Sequence, residues 1–194
     1  MEALVPLQLV RSVGLAVLAL GLVTSDARAD ASPWRLAAEG HFSALSDQTD
    51  RSLLNVSYGG ALRVAYRRSG PASRIGAVLV LERNAWFGTE LDAGPFPGVW
   101  NVGGGVERVW AEGRIRSALV GGASILDGDT PLHQRGTTGL FFDIRPVALR
   151  WPVHPHVALE LTPLGLSLLL PALRYPRLLL TQYRTTFAIE VRLP

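Results

Sequence analysis

The sequence contains no cysteine and no lysine. Without cysteine there is no disulfide framework and no residue for the lipid attachment of a lipoprotein. Without lysine, all 19 basic residues are arginine, set against 16 acidic ones for a net charge of +3. These arginines alternate with apolar residues, whereas a nucleic-acid surface gathers its basic side chains on one face. Long hydrophobic runs are also scarce. The clearest, Val13 to Val23, holds eleven residues, well short of the ~20 that a membrane-spanning helix needs. The glycine run Gly103, Gly104 and Gly105 has no Walker lysine and no helix after it, so it is not a phosphate loop.

The start of the chain reads as an export signal. Arg11 precedes the short apolar run, and Ala27-Arg28-Ala29 forms a small-x-small site before Asp30. This order predicts a secretory signal peptide over 1–29, cleaved after Ala29. Residues 30–194 are then enough for one domain.

The last stretch sets the pattern for that domain. Tyr183, Phe187, Ile189, Val191 and Leu193 occupy alternate positions, interrupted by Thr185. Gln182, Arg184, Thr186, Glu190 and Arg192 fill the positions between, with small Ala188 as the exception. A period of two is a strand with one greasy and one wet face. Seven earlier segments repeat it: 34–44, 54–67, 74–84, 99–109, 114–125, 138–150 and 156–170. Pro146 predicts a bulge or an early strand end in the sixth. The seventh loses its alternation after Pro163. The connections alternate in length, with short turns near 68–73, 110–113 and 151–155. The others fall near 45–53, 85–98, 126–137 and 171–180, and three of these four are longer.

An even number of amphipathic strands with alternating connection lengths predicts an all-β, eight-stranded, antiparallel up-and-down transmembrane barrel. A soluble binding barrel also alternates, with its apolar face inward around a ligand. The charge inventory favours the membrane form. One face holds large apolar groups, among them Tyr58, Tyr66, Trp100, Phe142, Tyr183 and Phe187. The other holds Arg35, Arg63, Arg114, Arg116, Arg145, Arg184 and Arg192 against Glu39, Glu82, Glu107, Asp143, Glu160 and Glu190. That near-balance suits a lumen packed with ion pairs, where the guanidinium fork neutralises buried carboxylates well. Trp34, Tyr66, Trp86, Trp100, Trp110, Trp151 and Tyr183 lie toward strand ends, where amphipathic rings meet the lipid–water boundary. The run Gly103-Gly104-Gly105, with Gly103 and Gly105 on the wet face, leaves room for large side chains from opposite walls.

In its signal peptide, eight alternating segments and amphipathic last strand, the chain resembles the small eight-stranded outer-membrane barrels of the OmpA and OmpX type. The resemblance covers essentially all of 30–194 as a pattern. It implies an outer-membrane location, lipid and the outer-membrane assembly machinery as partners, a monomer, and no cofactor. Such barrels usually end in Phe; here Leu193 stands in that place and Pro194 follows.

One constellation has catalytic chemistry. Glu39, His41 and Ser43 share a strand face, and a Ser–His–Glu set can activate a hydroxyl for acyl transfer. The H-x-S resembles that of lipid A deacylases, which are also eight-stranded barrels. Their H-x-S comes late in the chain and faces lipid, whereas here it falls in the first segment on the lumen side. Asp127-Gly128-Asp129 and His154-Pro155-His156 read as turns, the first with too few oxygens for calcium, and His133 is isolated. Three functions therefore stand: a structural or loop-recognition barrel, a lipocalin-like carrier of an apolar ligand, and a lipid A acyl hydrolase.

Overall fold

A computed structural model describes residues 32–47, 54–68, 74–86, 98–129, 134–173 and 178–193. The expected signal peptide and its cleavage point lie outside these residues, as do His133, the Trp86 side chain and residues 48–53, 69–73, 87–97, 130–133 and 174–177 of the connections.

Each segment with a period of two forms a strand. They are β1 (Trp34–Asp47), β2 (Leu54–Tyr66), β3 (Ile75–Trp86), β4 (Gly98–Trp110), β5 (Ile115–Leu126), β6 (Thr138–His154), β7 (Val157–Ala172) and β8 (Leu178–Arg192). Consecutive strands pair antiparallel, and β1 pairs with both β2 and β8, so the sheet closes into a barrel. Closure satisfies every strand edge from within the sheet, the condition for β-structure to cross a bilayer. Residues near both chain ends lie at one rim, called here the terminal rim, with the tight turns. One of these is the 3-10 turn Ala111–Gly113, where Ala111, Glu112 and Gly113 all have positive φ. Another is Pro155–His156.

Both proline-containing strands continue through their prolines by bulging. The β5–β6 register shifts between Arg116 and Ala118, and the β6–β7 register between Ile144 and Val147. The β7–β8 register shifts between Thr162 and Gly165. Pro146 and Pro163 stand beside the two partners Val147 and Leu164, so the irregularities face each other across one ladder. Hydroxyls from the flanking strands occupy the carbonyls there. Ser117 Oγ donates to the Pro146 carbonyl at 2.6 Å, and Thr185 Oγ1 donates to the Pro163 carbonyl at 2.9 Å. Thr185, the polar interruption in the greasy face of β8, thus has a backbone partner of its own. Each bulge also flips the facing of the residues beyond it in the strand. In β6 the buried set passes from Asp143 and Arg145 to Ala148, and in β7 from Glu160 and Thr162 to Gly165, Ser167 and Leu169.

The two faces are sorted decisively. Phe42 is 68% exposed, Leu79 63% and Phe187 59%, while Glu82, Glu107 and Arg116 are each 1% exposed. Large apolar side chains cover the outside and charges fill the inside. A lipocalin-like barrel has the opposite arrangement, and the apolar-inward alternative is overturned by this burial.

Candidate functional site: a charged lumen

The lumen is built on pairing of large with small residues across neighbouring strands. Glu39 faces Ala61 and Ala188, Arg63 faces Ala37, and Glu190 faces Ala37 and Ala158. Glu107 faces Gly76 and Ala118, and Arg184 faces Gly165. A Cβ on Gly59 would come 2.5 Å from His41 Nε2, and one on Gly103 would come 2.8 Å from Phe141 Cζ. The small residues of the wet face, Ala188 among them, are the spaces into which charged side chains fold. An eight-stranded barrel has room for one such layer and no more.

The charges form a single alternating chain. Arg184 joins Glu82 (2.7 Å) to Asp143 (2.5 Å), and Arg145 joins Asp143 (2.8 Å) to Glu39 (2.7 Å). Arg63 then links Glu39 (3.0 Å) to Glu160 (2.9 Å). Arg116 connects Glu160 (2.8 Å), Glu190 (2.6 Å) and Glu107 (3.4 Å). Arg150 meets Glu190 and Arg35 meets Glu107, both at 2.9 Å. All eight strands contribute to the chain. Each interior charge touches opposite charge on at least one side, the arrangement that offsets the cost of taking ions out of water. Replacing these groups with apolar ones of similar size need not destabilise the fold, but removing a single member leaves its partners uncompensated.

Toward the opposite rim the lining changes character. Asn84 and Asn101 each donate to Glu82 Oε1, at 2.5 and 2.9 Å. Asn84 Oδ1 then takes the proton of His41 Nε2 at 2.5 Å. Ser43 and Ser57 share a hydrogen bond, and Gln182 Nε2 donates to Ser57 at 3.2 Å. Beyond and beside these polar groups lies a buried apolar set that includes Val99, Leu126, Phe141, Leu169 and Leu180. Val99, Leu126, Phe141 and Leu180 continue the wet-face alternation of their strands, whereas Leu169 reads as lipid-facing until the Pro163 bulge is known.

The catalytic candidates are on one strand face but in three separate partnerships. Glu39 accepts from Arg145 and pairs with Arg63, His41 donates to Asn84, and Ser43 bonds to Ser57. Acyl transfer needs the serine on the histidine and the histidine on the acid; here each group is occupied elsewhere. Among the described residues, no group of three or more His, Asp or Glu side chains could hold a metal ion.

Of the expected lumen residues, Arg63, Glu82, Glu107, Arg116, Asp143, Arg145, Glu160, Arg184 and Glu190 all lie in the chain. Two do not. Arg114 is exposed and caps the 3-10 turn, because β5 starts only at Ile115. Arg192 is half-buried at the terminal rim, and among the described residues it makes no ion pair. Arg150 takes part instead. Continuing the alternation from Arg145 would point it outward, and the Pro146 bulge turns it in.

The aromatics divide between the two rims. Trp34, Tyr66, Trp110 and Trp151 are exposed at the terminal rim, with the Trp34 and Tyr66 ring centroids 4.8 Å apart. Trp100 and Tyr183 are exposed toward the opposite rim. Arg83 lies 5.8 Å over Trp100 and gives Asp127 two hydrogen bonds, at 3.0 and 2.9 Å. Asp129 Oδ1 accepts from the Arg135 backbone at 2.7 Å. Asp127-Gly128-Asp129 is thus a stapled turn.

A closed antiparallel barrel with an apolar exterior, ionic interior and aromatic rims is a transmembrane β-barrel of the small, eight-stranded kind. No family model matches the sequence, and no curated protein does. Solved structures do. Ail, the attachment invasion locus protein of Yersinia pestis, is similar at 12% identity and a TM-score of 0.53, covering 82% of this chain and 99% of Ail. Neisserial surface protein A is similar at 10% identity and a TM-score of 0.55, covering 84% of this chain and 98% of the other. At such identities the shared property is the fold, which is that of small outer-membrane barrels.

Proposed function

We propose that the protein is an integral outer-membrane barrel whose interior is a structural brace and whose exposed connections carry recognition. The terminal rim faces the periplasm in this reading, and the four connections of the opposite rim, the longest being 87–97 and 127–137, face outward. Lipid covers the apolar wall, and β8 is the segment presented to the assembly machinery. The observation that carries the reading is the Arg–acid chain from Glu82 to Glu107, which fills the cross-section where a pore would run. The separate partnerships of Glu39, His41 and Ser43 favour a non-enzymatic role.

Planar-bilayer recording of the refolded protein, checked for a boiling-dependent mobility shift, tests this. The expected result is a folded barrel with no conductance steps. Steady channel conductance would overturn the braced interior. A second assay adds lipid A and follows acyl release. No release is expected, and release abolished by Ser43→Ala in a folded barrel would instead establish the hydrolase.

A further inference from the structure

The two rims treat their cations differently. At the opposite rim, Arg83 and Arg135 both reach Asp127, at 2.9 and 3.4 Å. At the terminal rim, Arg68, Arg74, Arg108 and Arg114 are exposed and form no ion pair among the described residues. They flank four successive strands: Arg68 follows β2, Arg74 precedes β3, Arg108 is near the end of β4 and Arg114 precedes β5. Arg74 is drawn against β4 by its carbonyl, which accepts from Val109 N at 2.8 Å. Among the described residues the one exposed acid in this arc is Glu112, and the sequence between Arg68 and Arg74 carries no charge. The arc is therefore cationic in sequence as well as in structure.

Position within the arc is informative too. Arg108 alternates with Val106 and Trp110 on the outward face, and its guanidinium lies 3.7 Å from the Trp110 ring centroid. That holds a cation flat against the lipid-facing wall at the level of the aromatic belt, which Trp34 and Tyr66 continue on β1 and β2. Among the described residues a guanidinium there meets no carboxylate, and its planar fork matches the oxygens of a phosphate. Lipid headgroup phosphate is the anion found at that depth.

We infer that the terminal rim from β2 to β5 binds headgroup phosphates of anionic phospholipids such as phosphatidylglycerol. This rests on the membrane-barrel reading above. Each arginine near an anionic bilayer surface strengthens association roughly fivefold, and salt weakens the effect. The arc thus selects the lipids along one side of the barrel, and fixes the depth of the terminal rim.

The test reconstitutes the full barrel in vesicles containing brominated phosphatidylglycerol or brominated phosphatidylcholine and reads quenching of tryptophan fluorescence. The expected result is a severalfold preference for phosphatidylglycerol that falls at high salt. The preference should vanish in the combined Arg68→Gln, Arg74→Gln, Arg108→Gln and Arg114→Gln variant, and be reduced but not lost when the same four are changed to Lys, which keeps the charge without the fork. Equal quenching by the two lipids for the unaltered protein overturns the inference, as does a preference unchanged in the Gln variant. If the Gln variant fails to fold, the salt dependence of the unaltered protein decides. Failure of the barrel reading would look different, with no heat-modifiable species in either vesicle.

Discussion

Arg145 on β6 holds Glu39 on β1 across the lumen, with Nη1 2.9 and 2.7 Å from the two carboxylate oxygens. These strands share no ladder, so the pair ties two walls that backbone hydrogen bonds do not join. Because Arg63 also reaches Glu39 from β2, one carboxylate anchors three strands.

Removing that carboxylate should therefore be costly. Glu39→Ala is expected to destabilise the barrel by about 3 kcal/mol, since it leaves two buried guanidiniums with one partner fewer. Combining Glu39→Gln with Arg145→Met removes one charge of each sign and should cost less than the sum of the single changes. Urea unfolding of the reconstituted protein, followed by tryptophan fluorescence, measures both. Simple additivity would show that the pair is not coupled.

The facing proline bulges make a second expectation. Ser117→Ala and Thr185→Val each leave a carbonyl beside proline without its hydroxyl donor. Each should cost ~1 kcal/mol in the same unfolding assay. Ser117 also accepts from Trp110 Nε1 at 3.3 Å, so its loss should alter tryptophan emission as well. Unchanged stability in both variants would mean that the bulges need no side-chain support.

Glycines divide into those that need the absence of a side chain and those that do not. A Cβ on Gly105 would lie 1.9 Å from the Leu119 carbonyl oxygen, whereas one on Gly40 would meet nothing within 4 Å. Gly105→Ala should push β4 from β5 and sharply reduce refolding yield, through a backbone clash that cannot be relieved by a rotamer change. Gly40→Ala should refold as the unaltered protein does. Equal yields would contradict the close β4–β5 approach.

Much of this was legible in the sequence, for a physical reason. Alternation has the period of the strand itself, so all eight strands and most facings could be read locally. Arg35 and Glu39 on β1, or Arg184 and Glu190 on β8, needed no partner to be placed inside. Facing was lost where the period broke. The bulges at Pro146 and Pro163 reversed it, hiding Arg150 and making Leu169 look lipid-facing. At Arg114 the alternation ran on past the point where the 3-10 turn ends it. The pairing order, Glu39 with Arg145 or Arg116 with Glu190, depends on barrel closure and tilt, which no short stretch encodes. The non-catalytic geometry of His41 and Ser43 was hidden for the same reason: Asn84 and Ser57 reach them from other strands.

Which face of the sheet meets lipid decides the role of every buried charge, and the absence of cysteine makes that facing directly measurable. Single Leu79→Cys and Val80→Cys variants place a thiol on adjacent residues of β3, the first outward and the second in the lumen. Each is reconstituted in vesicles and treated with a water-soluble and a lipid-soluble maleimide. Position 79 is expected to react with the lipid-soluble reagent alone, and position 80 with neither until the barrel is unfolded. Ready labelling of position 79 by the water-soluble reagent would contradict this, because the apolar wall would then face water and the charged lumen would have lost its reason to exist.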